Sequence, residues 1–254
     1  MTRRRGAAMG ARRAGALLVL LAAWEGLSAI AWIDPFYAPP PTAVGQVLVT
    51  LVAGGDLWPH LGATILAAFA GLAVGLVVGV ALGFAAALWP PVADLLEPVM
   101  ILLNAIPRVI LAPLFVIWLG IGLASKLALA TVLVAVLIFF AVYNGVREVD
   151  PRLVERIRTL GGGRRLLVHE VYVPSVTSWV LGSFKVAVGF AFTGAVVGEF
   201  VASSRGLGYL LQFAQSTYNA AQTIALIFVI MAVVLLLFAG AERVERRLLR
   251  WRHL

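Results

Sequence analysis

The 254-residue sequence contains no cysteine. Disulfide bridges and thiolate metal sites are therefore excluded, and cysteine usage says nothing about redox compartment. Charge is also sparse: Asp, Glu, Lys and Arg make up 13% of the chain, about half the share in a soluble domain. Histidine occurs only as His60, His169 and His253, in three different polar segments and at no metal-ligand spacing. There is no Gly-x-Ser-x-Gly elbow, and no two carboxylates share a helix face within an apolar stretch. Gly120-x-Gly122-x3-Lys126 has a faint look of a phosphate loop, but the Gly-Lys-Ser/Thr ending is missing. Such a chain does not hydrolyse ATP by itself; if it does work, a partner supplies the energy.

What fills the chain instead is hydrocarbon, with 62% hydrophobic residues. That composition points to an all-α, polytopic bundle in a membrane rather than to soluble domains. The net charge of +8 raises nucleic-acid binding, but sixteen of the twenty Lys and Arg residues lie in three clusters, Arg3 to Arg13, Arg147 to Arg165 and Arg243 to Arg252. Each cluster flanks an apolar span, which is the positive-inside pattern. Arg3-Arg4-Arg5 and Arg12-Arg13 ahead of an apolar run could open a secretory signal. The run continues to about Ile33, too long for one, so it is expected to remain as a first span.

Apolar windows fall at about 14–33, 61–88, 98–119, 123–146, 176–200 and 221–241. Six spans starting inside put both termini and the Arg147–Arg165 cluster in the cytoplasm. The segments then left outside, 34–60, 120–122 and 201–220, contain Arg205 as their sole Lys or Arg. Segment 34–60 is broken by Asp34-Pro35, Pro39-Pro40-Pro41 and Gly54-Gly55-Asp56. Pro41-Thr42 predicts a short helix through Leu51, with Val44, Val47, Leu48 and Leu51 on one face, lying along the interface.

In the second span Gly71, Gly75, Gly79 and Gly83 recur every fourth residue. Residues four apart stack on one helix face, so these glycines form a groove that admits another backbone. Packing within the bundle is the favoured reading, ahead of a dimer interface. The third span carries Pro98, Pro107 and Pro113, and broken helices of this kind accompany transport pathways.

One charged island interrupts the hydrocarbon. From Arg147 to Pro174 it holds six arginines and the acids Glu148, Asp150, Glu155 and Glu170. A helix over Arg152–Leu160, a C-cap at Gly161, a turn through Gly162-Gly163 and a second helix over Leu166–Tyr172 stopped by Pro174 are predicted. Such an exposed helix pair suits a groove on another protein. The bland alternative is a solvated loop bearing positive-inside charge.

Within the island, Glu155-Arg156-Ile157, Gly161 and Val171-x-Val173-Pro174 resemble in spacing the Glu-Ala-Ala loop by which ABC importer permeases grip their ATPase. Ala105-Ile106-Pro107-Arg108, Leu111-Ala112-Pro113-Leu114 and Trp118-Leu119-Gly120-Ile121-Gly122 look like that family's third-span signature. Gly198-Glu199-Phe200 and Gly206-Leu207-Gly208-Tyr209 look like its Glu and Gly-Leu-Gly element. From about Trp24 onward the chain resembles the six-helix permeases of nitrate-, sulfonate- and taurine-type importers, with pyrimidine- and riboflavin-type permeases similar. Arg156 and Ile157 depart from the loop's two alanines, and Val173 from its leucine. The resemblance implies a type I importer fold in the bacterial inner membrane and a homodimer with the pathway on its two-fold axis. It also implies two ATPase subunits that bind ATP and Mg, with no cofactor in this chain, and a soluble extracytoplasmic solute-binding protein. Glu155, Arg156, Ile157, Gly161, Val171 and Pro174 would couple to the ATPase.

Ionisable residues inside spans are expensive and point to function. Arg108 is a candidate anion contact, or a cap for carbonyls freed by the prolines. Lys185 either lines the inner pathway or snorkels to the headgroups. Glu199 is a pathway or gate candidate, or else a structural partner, with Arg205 as the suggested mate. Glu25 is expected to meet a neighbour in the bundle. Gln212, Gln215, Ser216, Thr217, Tyr218 and Asn219 could touch substrate or a delivery protein, or simply be a polar outer loop. Arg108 and Lys185 lean toward an anionic solute. A membrane enzyme acting on lipids would need clustered acids or histidines at one face, and a passive channel or scaffold would not need the island.

Overall fold

The computed structural model describes residues 2–30, 32 and 34–248, and among them the chain is all-helical. The elements are α1 (Thr2–Ala29), α2 (Pro41–Ala53), α3 (Leu57–Leu88), α4 (Pro90–Ala105), a 3-10 turn (Arg108–Ile110), α5 (Leu111–Leu119) and α6 (Leu123–Arg147). They continue with α7 (Pro151–Thr159), α8 (Arg164–Leu167), a π turn (Val168–Tyr172), α9 (Val173–Val201), α10 (Leu207–Ser216) and α11 (Ala220–Leu248). Among the described residues, four continuous helical stretches, Leu57–Leu88, Leu123–Arg147, Arg164–Val201 and Ala220–Leu248, are long and apolar enough to cross a membrane.

The chain forms two compact units. In the unit containing the chain up to Trp58 and Leu210–Ile230, α1 ends at Ala29, short of the expected 33. The chain then turns on Asp34, whose carboxylate accepts the Phe36 N–H (2.9 Å) and whose carbonyl accepts the N–H groups of Tyr37 and Ala38. Ala31 and Ile33 of the expected first span lie outside the described residues. Pro41 opens α2, as its sequence predicts, because a first-turn residue needs no N–H donor. The N-cap Pro40 has no side-chain group to offer, and Glu25 of α1 supplies the cap instead. Its carboxylate accepts from the Thr42 N–H (3.1 Å) and hydroxyl (2.8 Å). A carboxylate there also faces the positive end of the helix dipole.

In the unit formed by Pro59–Tyr209 and the chain from Met231, α6 is the axis of packing. Its Leu129, Ala130, Val134, Ile138, Phe139 and Val142 have almost no exposed surface. Lipid tails are as apolar as leucine, so helices here associate through close van der Waals contact, which small residues permit. Gly71, Gly75, Gly79 and Gly83 of α3 lie against Ala130, Val134, Ile138 and Val142 of α6. A Cβ on Gly75 would stand 2.6 Å from Val134 Cβ, and one on Gly79 would stand 2.8 Å from the Ala135 carbonyl oxygen. On its other side α6 meets Gly194 and Gly198 of α9, at Ala130 and Lys126.

The order of these contacts sets direction. Residue numbers rise together along the α3–α6 seam, so those helices are parallel; along α6–α9 one rises as the other falls, so they are antiparallel. Two parallel helices require the segment between them to return across the bundle. That segment, α4 to α5, is broken. Helix α4 begins at Pro90, eight residues before the expected span start, because Pro90 and Pro91 fit a first turn and Pro98 is carried inside the helix. It stops at Ala105, Ile106 is extended (φ −70°, ψ 131°), and Pro107 leads into the 3-10 turn. Pro113 sits in the first turn of α5, where its missing donor is not needed.

Candidate functional site

The charged island forms two short helices around a glycine turn. Asp150 caps α7 by accepting the Arg152 N–H (2.9 Å), and Pro151 occupies the first turn. At the other end Gly161 has φ +79°, the Gly161 N–H bonds the Arg158 carbonyl (3.0 Å), and the Gly162 N–H bonds the Ile157 carbonyl (2.8 Å). That pair of bonds is a Schellman motif, which the glycine at the left-handed position allows. Gly162 is needed for space: a Cβ there would overlap the Ile157 side chain.

Beyond the turn the structure departs from expectation. Pro174 does not stop the second helix; α8, the π turn and α9 are continuous from Arg164 to Val201. In the π turn the Val173 N–H reaches back to the Val168 carbonyl. Pro174 lies in the first turn of α9, beside this wider turn, a common way to absorb a proline inside a helix.

The six motif residues divide. Arg156, Ile157, Val171 and Pro174 line one cavity of about 550 Å³ together with Asp150 and Glu170. Glu155 and Gly161 stand outside it, exposed. No residue of α7 is buried, and Leu153 and Leu160 are 49% and 79% exposed. The anchor that holds this loop was not legible in the sequence. Arg164 donates to the Leu88 carbonyl (2.9 Å) and lies 5.2 Å over the Trp89 ring, tying the loop to the C-terminus of α3. A cation there complements the negative helix end.

A second cavity, of about 370 Å³, lies at the break between α4 and α5. Asn104, Ala105, Ile106, Pro107 and Val109 form one wall; Leu129 and Leu133 of α6 and Phe190, Thr193, Gly194 and Val197 of α9 form the other. The α9 residues recur at i, i+3, i+4 and i+7, so one face of that helix points into the cavity. Pro107 has no N–H, which deprives the Leu103 carbonyl of its helical donor, and broken backbone at membrane depth is tolerated where it lines a cavity or is covered by protein. Arg108 begins the 3-10 turn beside this cavity, and its side chain lies outside the described residues.

Glu199 and Lys185 sit in places the sequence did not indicate. Glu199 is 1% exposed. Its Oε2 accepts from the Thr64 hydroxyl (2.7 Å) and the Gly208 N–H (3.1 Å), and its Oε1 faces Lys126 Nζ at 3.7 Å. The ion partner is thus Lys126 of α6; Arg205 contributes its carbonyl, which accepts from Lys126 Nζ (2.8 Å). Lys185 pairs with Glu242 of α11 (3.8 Å) and lies 5.6 Å from the Phe238 ring centroid. The polar run of the other unit is capping chemistry. Tyr218, at φ +55°, closes α10 as the Asn219 N–H bonds the Ala214 carbonyl, and Asn219 Oδ1 accepts the Gln222 N–H at the start of α11. Among the described residues no cluster of three His, Asp or Glu could hold a metal.

Comparison with known proteins agrees with this arrangement. The model of the family described as binding-protein-dependent transport system inner membrane component matches residues 79–250. The chain is 30% identical over 246 residues to the taurine transport system permease protein TauC of Escherichia coli, covering 93% of this chain and 88% of that one. It is 31% identical over 235 residues to the riboflavin transport system permease protein RibX of Chloroflexus aurantiacus, covering 92% and 88%. Its fold is similar to the methionine ABC transporter MetNI in inward-facing form (TM-score 0.57, 23% identity, 75% of this chain and 93% of that chain). It is also similar to an amino acid ABC transporter solved with histidines (TM-score 0.62, 16% identity, 79% and 98%). The chain belongs to the family of binding-protein-dependent transport system inner membrane components: it is an ABC importer permease of the nitrate, sulfonate and taurine type, with the type I importer fold.

Proposed function

We propose that this permease forms a homodimer with its pathway on the two-fold axis, driven by two cytosolic ATPase subunits that bind ATP and Mg. A solute-binding protein delivers cargo on the opposite side. The chain crosses six times with both termini in the cytoplasm. The parallel course of α3 and α6 supports the third crossing, since one return passage must lie between them.

The observation that carries the coupling role is α7, an amphipathic helix without a buried residue that exposes Leu153, with Leu160 exposed at its C-cap, among charges. Exposed leucines on a pinned, capped helix suit a protein groove. Closure of the ATPase dimer on ATP would push α7 and α8. The push reaches α9 through the continuous helix and α3 through Arg164, so nucleotide binding becomes a population shift between inward- and outward-open bundles.

The cavity at the α4–α5 break is the best candidate for solute contact. Its described walls are apolar apart from Asn104, Thr193 and backbone, and Lys185 is engaged by Glu242. The polar groups of those walls suit a small organic solute with a hydrogen-bonding group. Taurine, aliphatic sulfonate, formylaminopyrimidine and riboflavin, named for the relatives, fall in that range. The deciding experiment is affinity purification from gently solubilised native membranes, with and without deletion of 155–161. An ABC ATPase should accompany the intact loop and vanish with the deletion. Absence of an ATPase from both well-folded samples would refute the coupling role.

A further inference from the structure

Apart from the two cavities assigned to passage and coupling, an elaborate feature among the described residues is the turn after α9. Helix α9 has 29 residues, about 43 Å at 1.5 Å per residue, more than a bilayer's hydrocarbon core. The turn at 202–208 therefore lies across the membrane from the coupling loop, on the side where the binding protein arrives.

Its backbone is held on every side. The Ser203 hydroxyl donates to the Arg205 carbonyl (2.6 Å) and accepts the Arg205 N–H (3.1 Å). Lys126 Nζ donates to that same carbonyl. The next three N–H groups are each accepted by a side chain: Gly206 by His60 Nδ1 (3.0 Å), Leu207 by Thr64 Oγ1 (2.8 Å) and Gly208 by Glu199 Oε2. The Gly206-Leu207-Gly208 composition follows from the crowding. A Cβ on Gly206 would overlap the Glu199 carboxyl, and one on Gly208 would overlap the Val196 carbonyl. The His60 ring stacks on Tyr209 at 5.6 Å.

Gly206, Leu207 and Gly208 are buried by this clasp, whereas the Arg205 side chain is exposed. It is also the sole Lys or Arg in the three segments 34–60, 120–122 and 201–220. A cation on a backbone already held by hydrogen bonds adds no backbone-ordering cost when it is bound, and it favours a carboxylate that arrives at a defined position.

We propose that Arg205 is a docking contact for an acidic side chain on the solute-binding protein, presented by the turn that Lys126, Glu199, Thr64 and His60 hold in place. The proposal rests on the importer reading. Charged contacts at the edge of an interface act mainly on encounter rate and salt dependence, which defines the assay.

The importer, reconstituted with its ATPase in lipid nanodiscs, is titrated with its cognate solute-binding protein, and ATP hydrolysis is read. Arg205→Glu should raise the half-saturating concentration about tenfold or more, with basal and maximal hydrolysis unchanged; Arg205→Lys should stay within about threefold. Added NaCl should weaken wild-type docking and have little or opposite effect on Arg205→Glu. Arg205 joins the clasp through its backbone N–H and carbonyl, which the substitution leaves in place, and intact basal hydrolysis checks the fold. Superimposed titrations of wild type and Arg205→Glu overturn the proposal while leaving the importer intact. A wild-type complex that the binding protein fails to stimulate overturns the importer reading, and the proposal with it.

Discussion

The seam between α3 and α6 makes a quantitative prediction, because one substitution has opposite outcomes at two sites of one helix. At Gly75 a new Cβ would lie 2.6 Å from Val134 Cβ and 2.8 Å from its Cγ1. Unstrained carbon contacts are about 3.5–4.0 Å, so Gly75→Ala requires the helices to part by about 1 Å. Parting by that much loses a quarter to a half of the attraction between facing atoms, and overpacking typically costs about 1–3 kcal/mol. At Gly62, in the same helix, nothing lies within 4 Å of an added Cβ. Gly62→Ala therefore adds helix propensity, up to about 1 kcal/mol in its favour. Gly71 offers a repair, since its Cβ would strike the Cβ of Ala130, while the next atoms stand at 3.3 Å. The assay is thermal unfolding of purified permease in detergent. Gly75→Ala and Gly71→Ala should lower the midpoint by about 2–12 °C, Gly62→Ala should leave it level or raise it, and Ala130→Gly should restore part of the loss in Gly71→Ala. Equal midpoints for Gly62→Ala and Gly75→Ala would refute the glycine seam.

Removing one member of the buried pair, by Lys126→Met or Glu199→Gln, should cost about 3–5 kcal/mol of stability, and the double variant should recover much of it; a double variant less stable than both singles would contradict the pairing. Glu155→Ala or Gly161→Val should impair uptake and ATPase retention with the permease still inserted, as judged by blotting of membranes, and unchanged uptake in both would rule out the coupling role. Thr193→Trp should block the roughly 370 Å³ cavity and abolish uptake while the ATPase still co-purifies; normal uptake would place the passage elsewhere. Lys185→Met should leave the apparent affinity for solute within about twofold, because its charge is engaged by Glu242, and a large loss of affinity would return Lys185 to the pathway.

Several features were legible because they follow from local chemistry. Pro41 at a helix start and Gly161 at a helix end depend on backbone rules that act within a few residues. The glycine period in α3 exposed a packing face for the same reason: a helix repeats every 3.6 residues whatever it touches. Hydropathy could not find α4, since Asp94 and Glu97 make its first half read as a loop, and Tyr143 satisfies Glu97 from a distant helix (2.9 Å). Pro174 misled because the rule that proline ends a helix assumes an α-helical register, and the π turn changes it.

The sequence by itself determined that this protein lives in a membrane and where its four long apolar helices fall. Those properties are sums over many residues or patterns within one helix turn, so no fold is needed to evaluate them. Only the tertiary structure decided which partner each charge within the helices has. Glu25 met Thr42, Glu199 met Lys126 and Lys185 met Glu242, across gaps of 17, 73 and 57 residues. The tertiary structure likewise brought the α4–α5 break opposite Thr193. A charge inside a bundle must find a mate, and which one it finds depends on how whole helices cross, which no local pattern encodes.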